Sequence, residues 1–139
     1  MSSRFAVAIH ILAVLEVYKH EHTTSKFLAA SIGTNPVVVR RISKMLANAG
    51  LIHVHAGVGG AELARPLAEI RLLDVYQVVE PVEDGLFAIH RHPNPACFVG
   101  STIQATLEGA FDEARQAMEQ VLRERTMQDI VSDLSQRHK

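Results

Sequence analysis

The sequence is poor in cysteine and in aromatic side chains. Cys97 is the single cysteine of the 139 residues, so no disulfide forms within the chain, and the composition fits a reducing compartment. Aromatic residues make up 5% of the chain and none is interleaved with its basic stretch, which argues against a platform that stacks single-stranded bases. No apolar run approaches the length of a membrane-spanning helix, and the N-terminal segment lacks a cleavage site of small residues. We therefore expect a cytoplasmic protein without membrane contacts.

An excess of one charge is also missing, because the formal net charge is −1. The charges are nevertheless unevenly distributed. Residues 1–66 hold seven Lys or Arg against three Asp or Glu, whereas residues 67–139 hold seven against twelve. The first half would attract phosphate, and the acidic remainder would oppose indiscriminate coating of nucleic acid.

Two short helices joined by a tight turn are predicted in the basic half. Ser25 is a candidate N-cap for a helix over residues 26–32, and Gly33 ends that helix because glycine tolerates the positive φ of a C-terminal cap. Asn35 is the next N-cap candidate, followed by Pro36 at the first helical position, where its missing N–H costs nothing. The connection of about three residues is typical of a helix-turn-helix.

The second of these helices, over residues 36–48, is amphipathic and has no carboxylate. A helix that enters a major groove needs short N-terminal residues near the base edges and cations near the phosphates. An ordinary solvated helix face has a similar composition, so the helix alone does not decide between the two. The expected buried stripe is Val38, Ile42, Met45 and Leu46, flanked by Val39, and the expected exposed face is Asn35, Val37, Arg40, Arg41 and Lys44.

A β-hairpin is predicted directly after this helix. Gly50 closes the helix, and residues 51–55 alternate apolar and polar side chains as a half-buried strand does. The glycine-rich segment 57–60 supplies the positive-φ residues of a hairpin tip, and residues 61–64 return as the partner strand. The order of elements is that of a winged helix-turn-helix. The glycines do not have P-loop spacing, so no nucleotide site is predicted.

Helices are predicted on both sides of this motif. The first is apolar on more than one face, which indicates contacts beyond its own domain, with a second subunit as one option. A long later helix has apolar residues every three or four positions, which form an apolar seam along one side. A second copy of the chain is the simplest partner to cover that seam. We expect helices over residues 3–18, 69–80, 101–125 and 126–134, the last capped by Thr126. The expected division is a winged helix-turn-helix domain (1–80), a linker or sensor loop (81–100), and a dimerisation helix with its C-terminal tail (101–139).

These motifs together resemble the Rrf2 family of bacterial winged helix-turn-helix transcriptional regulators, over nearly the whole chain. The resemblance implies a mainly α fold with a small β-hairpin wing and a long C-terminal dimerisation helix. It also implies a homodimer that binds double-stranded DNA, in many members as a repressor. The segments that carry the resemblance are NPVVVRR (35–41), AGLI (49–52), the glycine-rich tip, LARP (63–66) and IRLLDV (70–75), and NPACFVG (94–100) is similar to the YwnA-like branch.

The resemblance and the helix pattern together give a set of expected DNA contacts. Relatives commonly have a basic residue before the glycine tip and a proline within it, but this chain has Ala56 and Val58 there. We therefore do not expect a wing arginine of this chain to insert into the minor groove. Base discrimination is expected from Asn35, Val37, Arg40 and Arg41, backbone contacts from Ser25, Lys26 and Lys44, and a wing tip at Gly59 and Gly60.

Cys97 is the candidate sensor. Cluster-binding relatives carry three cysteines before the long helix, whereas this chain has Cys97 alone, with Gly100 where a histidine ligand can occur, so no iron–sulfur cluster or other cofactor is expected. The thiol lies just ahead of a predicted helix start, where the helix dipole favours thiolate. It could sense oxidants or electrophiles, or bind a metal with His90 and His92, and so control DNA binding. The plainer interpretation is a small buried hydrophobic residue.

Two other functional classes compete with a DNA-binding regulator. No HExxH motif, nucleophile elbow or local Ser, His and Asp set occurs, so we do not expect an enzyme. His20, Glu21 and His22 could bind a metal but equally resemble a polar surface loop, and we predict no metal site there. A winged helix can also dock on a protein, and salt dependence distinguishes that module from a DNA-binding one. The sequence does not identify an effector, and both a small molecule and a redox signal are compatible with it.

Overall fold

The computed structural model describes residues 3–56, 59–80, 94 and 96–138, and the structural statements below concern these residues. Six α-helices and one two-stranded antiparallel hairpin form this part of the chain, so the predicted mainly α class with a small hairpin is confirmed. The elements are α1 (Arg4–Val17), α2 (Ser25–Ile32), α3 (Pro36–Asn48), β1 (Ile52–Val54), β2 (Ala61–Leu63), a 3-10 turn (Leu67–Glu69), α4 (Leu72–Val79), α5 (Phe98–Glu124) and α6 (Met127–His138).

Helix α1 lies at the centre of the core. Ala8, Ile11, Leu12 and Leu15 are buried, and the helix contacts α2, α3, α4 and α6 as well as β2. A helix surrounded in this way must be apolar around most of its circumference. One of the elements packed around α1 is α6, which lies beyond residues 1–80 in the same chain.

The hairpin agrees with its prediction and is fixed to the helical core. Thr23, in the segment before α2, is buried and donates its Oγ1–H to the carbonyl oxygen of Ala61 at 2.7 Å. Next to it, at the tip end of the strands, the His55 N–H donates to the carbonyl oxygen of Gly60 at 2.9 Å. The Thr23 bond ties the hairpin to the segment before α2, and the His55 bond joins the two sides of the hairpin. The strands pair Ile52 with Leu63, His53 with Glu62 and Val54 with Ala61.

Helix α4 begins later than the predicted residue 69. Ile70 is extended because its carbonyl oxygen accepts the Met127 N–H at 2.8 Å, and the Leu72 N–H donates to the carbonyl oxygen of Arg125 at 2.9 Å. This short antiparallel pairing prevents residue 70 from being helical. The helix starts after it, where Asp74 Oδ2 accepts the Arg71 N–H at 3.0 Å.

The long helix α5 begins at Phe98, three residues before the predicted start. None of its residues is buried within the single chain. It does carry partly buried side chains at spacings of three and four, which form a seam along one side. These are Ile103, Leu107, Phe111, Ala114, Met118 and Leu122.

Helix α6 returns to the core around α1. Thr126 is its N-cap as predicted, because Thr126 Oγ1 accepts the Asp129 N–H at 3.2 Å while Asp129 Oδ2 accepts the Thr126 N–H at 2.9 Å. Met127 and Val131 are buried in the same cluster as the side chains of α1. The last helix therefore completes the core of the winged unit and is longer than predicted.

Candidate nucleic-acid interface

Helix α2 begins one residue earlier than the sequence predicts. Thr24 is extended and is the N-cap, with its Oγ1 accepting the Phe27 N–H at 3.1 Å. The prediction of Ser25 as the cap is therefore wrong, and Ser25 is the first helical residue. Gly33 ends the helix as predicted, at φ 84°, a conformation that glycine adopts at little cost.

The start of α3 agrees with the sequence. Asn35 is the N-cap, with its Oδ1 accepting the Val38 N–H at 3.0 Å, and Pro36 follows in the first turn. The side-chain oxygen of Asn35 is thereby committed to the helix. Pairing with adenine uses both the oxygen and the nitrogen of an Asn side chain. In this geometry the amide N–H groups of Asn35 stay available to a ligand, while one lone pair of Oδ1 is used by the cap.

The buried face of α3 is centred on Val39 rather than on Val38. Val39, Ile42 and Leu46 are buried in the core cluster, whereas Val38 and Met45 are partly buried. The predicted stripe was therefore wrong in giving Val39 a flanking place. Three consecutive valines have the same apolar character, and the packing of α3 against its neighbouring elements decides which of them faces the core.

The opposite face of α3 carries cations without partners. Arg40, Arg41 and Lys44 are exposed, and none of them makes an ion pair or a hydrogen bond with any residue that the structure describes. On α6, by contrast, Arg137 Nε lies 2.7 Å from Asp133 Oδ2. Because the α3 cations are not neutralised internally, their charge is available to an external anion.

A groove of about 410 Å³ lies between the first turn of α2, one side of α3 and the hairpin. The groove brings together five of the predicted residues, namely Ser25, Arg40, Lys44, Gly59 and Gly60. Lys26, Asn35, Val37 and Arg41 do not line it. Its remaining lining residues are Thr23, Leu28, Ser43, Ala47, Val54, His55 and Ala61.

Sequence reasoning missed three polar residues of this groove. His55 projects from the end of β1, and its Nε2 lies 3.4 Å from Glu62 Oε1. The strand alternation that begins at Ile52 could have identified His55 as outward-facing. No sequence signal distinguishes Thr23 or Ser43, because a hydroxyl residue is common in loops and helices alike.

Ser43 has an unusual environment. It is 6% exposed, and its Oγ has no hydrogen-bond partner among the residues that are described. We expect Ser43→Ala to raise the free energy of unfolding by about 1 kcal/mol, since it removes a buried unpaired hydroxyl and improves helix propensity. Urea denaturation measures this change.

The matched control is Ser132→Ala on α6, where Ser132 is exposed and its hydroxyl pairs with Gln128 at 3.2 Å. That substitution changes helix propensity without removing a buried unpaired group. A gain at Ser43 no larger than that at Ser132 would show that the Ser43 hydroxyl is satisfied in solution.

The comparisons with known proteins agree with this architecture. The sequence pattern of the Rrf2 family, described as iron-dependent transcriptional regulators, matches residues 1–133. This chain belongs to the Rrf2 family. YwnA of Bacillus subtilis (strain 168), a proposed HTH-type transcriptional regulator, is 43% identical over 134 residues, which cover 96% of this chain and 98% of YwnA.

Two crystal structures are similar to this Rrf2 protein over nearly its whole length. One, of a proposed DNA-binding protein, has a TM-score of 0.75 at 40% identity and covers 92% of this chain and 98% of its own. The other, of a proposed transcriptional regulator from Lactobacillus plantarum, has a TM-score of 0.83 at 28% identity. It covers 97% of this chain and 91% of its own. The winged-helix fold is thus shared with regulators of the family.

Iron, which the family description names, can be tested against the donor groups of this chain. A protein-bound iron–sulfur cluster is typically held by several cysteine thiolates, and this Rrf2 chain has Cys97 alone. Within the described ranges, no group of three or more His, Cys, Asp or Glu side chains could hold a metal ion. The residues therefore do not fit a cluster within one subunit.

Across the described ranges, no helix is both long and apolar enough to cross a membrane.

Cys97 directly precedes α5 and is exposed, so its interpretation as a small buried hydrophobic residue is wrong. Hydrogen bonds from the backbone N–H groups of Gly100 and Val99 at the helix start lower the pKa of its thiol. His90 and His92, which were considered as metal ligands beside it, lie outside the described residues.

The lowered thiol pKa has a measurable consequence. Because thiolate is the nucleophile, alkylation of Cys97 by iodoacetamide should reach half of its maximal rate at a lower pH in the folded protein than in guanidinium. Mass spectrometry of the single cysteine gives both profiles, with N-acetylcysteine as the reference thiol. Coincident profiles for folded and unfolded protein would contradict the stabilisation of the thiolate by the α5 start.

Proposed function

We propose that this protein is a homodimeric transcriptional regulator, acting as a repressor, that binds specific sequences of double-stranded DNA with α3 in the major groove. The observation that carries the proposal is the outward face of α3, where unpaired Arg40, Arg41 and Lys44 surround an exposed Val37. A recognition helix needs both cations for phosphates and side chains for base edges. The hairpin beside it then serves as the wing.

Each side chain has a proposed role. Val37, Arg40 and Arg41 approach base edges, and Asn35 contributes an amide donor because its oxygen caps α3. Ser25 and Lys26 in the first turn of α2, together with Lys44, contact the phosphate backbone. Gly59 and Gly60, at φ 85° and 93°, carry no side chain, so the backbone at these two residues is open to approach by a phosphate.

Helix α5 is the proposed dimerisation element. Its seam of apolar side chains is only partly buried in the single chain, and Phe98 at its start is 81% exposed. An apolar seam of this length is stable in water when a partner covers it, and a second copy about a two-fold axis satisfies both seams at once. Two α3 helices would then read half-sites one helical turn apart, about 34–36 Å.

Selection of bound duplexes from random DNA tests the proposal, with the oligomeric state measured by sedimentation. We expect an enriched palindrome, a dimer at micromolar concentration, and affinity that falls steeply as salt rises. A monomer that shows no preference among duplexes would refute it. Binding to a protein with weak salt dependence, and none to DNA, would favour the alternative of a protein-interaction module.

Val37 gives the proposal a base-level prediction. It is 55% exposed in the first turn of α3, where an apolar side chain suits the methyl group of thymine. Replacing the contacted thymine by deoxyuridine should weaken binding about fourfold, since burying one methyl-sized group contributes about 0.8 kcal/mol. Fluorescence anisotropy at one salt concentration measures the change.

Val37→Ala should bind the thymine and deoxyuridine duplexes almost equally. The control duplex carries deoxyuridine outside the selected site and should bind like the unmodified one. Undiminished sensitivity to the methyl group in Val37→Ala would assign its recognition to another residue.

A second candidate function is control of DNA binding by the thiol of Cys97. The observation that favours it is the exposed Cys97, with its lowered pKa, next to Phe98 at the start of the proposed dimerisation helix. An oxidised or alkylated sulfur there would add a polar or bulky group to the dimer face. Unchanged operator affinity of Cys97→Ser under oxidant, compared with a loss in the native protein, would support this control.

A further inference from the structure

The groove between α2, α3 and the hairpin has an apolar floor and a cationic rim. Leu28, Ala47 and Val54 supply apolar surface, while Arg40 and Lys44 supply positive charge. Among the described residues, no carboxylate lines it. Its volume of about 410 Å³ lies within the range of about 300–1,000 Å³ found for small-molecule sites, which are also mostly apolar with a few polar groups.

The helical periodicity of α3 places this groove beside the proposed base-reading face. Residues 40, 43, 44 and 47 recur at spacings of three and four and line the groove. Val37 and Arg41 do not line it, and at about 100° per residue they lie about 80° and about 120° around the helix from Ala47. Arg40 and Lys44 therefore stand at an edge shared by both surfaces. An anion bound in the groove would occupy the two cations that DNA also needs.

Ser43 is a second, independent feature of the same wall. It lies between Arg40 and Ala47 on the groove side of α3, is more than nine-tenths buried, and its Oγ has no partner in the described part of the chain. Buried hydroxyls are normally hydrogen-bonded, so an unpaired one beside a cavity calls for a partner that the described residues do not supply, such as a water molecule or a ligand group.

We infer that this groove binds a small organic anion with an apolar body, and that the bound anion displaces DNA. The acidic head lies between Arg40 and Lys44, and the apolar body covers Ala47 and Val54. Inorganic phosphate satisfies only the cations and leaves the apolar floor in contact with water. Displacement of DNA rests on the function proposed above, whereas binding of the anion does not.

Calorimetric titration of the whole protein without DNA tests the site, with 2-naphthoate as the probe. Its neutral isostere 2-naphthamide has the same ring system, and we expect it to bind at least tenfold more weakly. Inorganic phosphate is the second comparison and should also bind at least tenfold more weakly than 2-naphthoate. Equal affinities for naphthoate and naphthamide, or for naphthoate and phosphate, would overturn the inference.

Three variants locate the site. Lys44→Met keeps an apolar side chain of similar length but removes the charge, and should weaken naphthoate about tenfold while leaving naphthamide unchanged. Val54→Thr keeps the shape but replaces a methyl group, and should weaken both probes a few-fold. Val17→Thr is the matched control, since Val17 at the end of α1 is as exposed as Val54 but does not line the groove.

Ala47→Leu fills the floor of the groove without touching a proposed DNA contact. It should bind the selected duplex normally, while naphthoate should neither bind this variant nor release its DNA. A melting curve like that of the native protein shows that the variant is folded. Naphthoate binding that persists in folded Ala47→Leu would overturn the inference. In the native protein, normal DNA binding without naphthoate binding would refute the groove alone, and naphthoate binding without DNA binding would refute only the proposed function.

Discussion

Replacing Met127 by Ala is expected to lower the free energy of unfolding by about 2 to 5 kcal/mol, the range for removing a large buried side chain from a core. Met127 is fully buried among the side chains of the core, although it lies in the last helix of the chain. Its loss leaves a cavity where α6 meets the rest of the core. Chemical denaturation at a fixed protein concentration measures the change, because the proposed dimer makes stability depend on concentration.

The matched control is Leu134→Ala on the same helix, where Leu134 is partly exposed and lies outside the core cluster. Its effect should stay below about 1 kcal/mol, since little buried surface is lost. If Met127→Ala were as mild as Leu134→Ala, α6 would not pack on the core in solution.

Replacing Arg40 by Ala is expected to weaken binding to the selected duplex by about 1 to 3 kcal/mol, roughly 5- to 160-fold. Arg40 is exposed and unpaired with the described residues, so removing it costs the fold little and removes a cation from both the base-reading face and the groove. Binding is measured by anisotropy over a series of salt concentrations. Arg40→Lys retains the charge and separates its effect from the geometry of the guanidinium.

The salt series decides how Arg40 acts. If Arg40 meets a phosphate, Arg40→Ala lowers the salt slope by about one and weakens all duplexes alike, whereas a base contact relaxes specificity at one position. Arg123→Ala is the control on α5, where Arg123 pairs with Gln120. A loss at Arg123 equal to that at Arg40 would show a general effect of net charge, and the placement of α3 in the major groove would then be wrong.

Local signals predicted the helix-turn-helix well. The cap at Asn35, Pro36 in the first turn and the glycine end at Gly33 depend on the conformation of one or two residues and on bonds within a single helical turn. The hairpin also follows from strand alternation and from glycines that adopt positive φ. Because the residues that determine these features lie within or next to them in the chain, the sequence alone is enough to find them.

The predictions were wrong where packing against a distant part of the chain selects one of several similar neighbouring residues. Thr23, Thr24 and Ser25 all have hydroxyls that could cap α2, but Thr23 is bound to the carbonyl oxygen of Ala61, and the helix begins after Thr24. Among the valines of α3, packing against the other core elements selects Val39 as the buried one. Neither choice is visible in the residues themselves.

The groove could not be predicted for the same reason. Its walls come from Thr23, the first turn of α2, one side of α3 and the hairpin, which tertiary packing brings together. Sequence patterns identified the cations on its rim, because charge on a helix face is a local property. They could not identify the apolar floor as a cavity, and the unpaired hydroxyl of Ser43 depends on neighbours that no local pattern specifies.

The return of α6 to α1 also bears on how the protein is made. During synthesis, α1 leaves the ribosome long before the residues that cover it, so a nascent chain must keep that helix partly uncovered until Met127 and Val131 have emerged. Chains that stop short of residue 127 would expose apolar surface to chaperones and proteases. Quality control can therefore remove unfinished molecules that already contain α3.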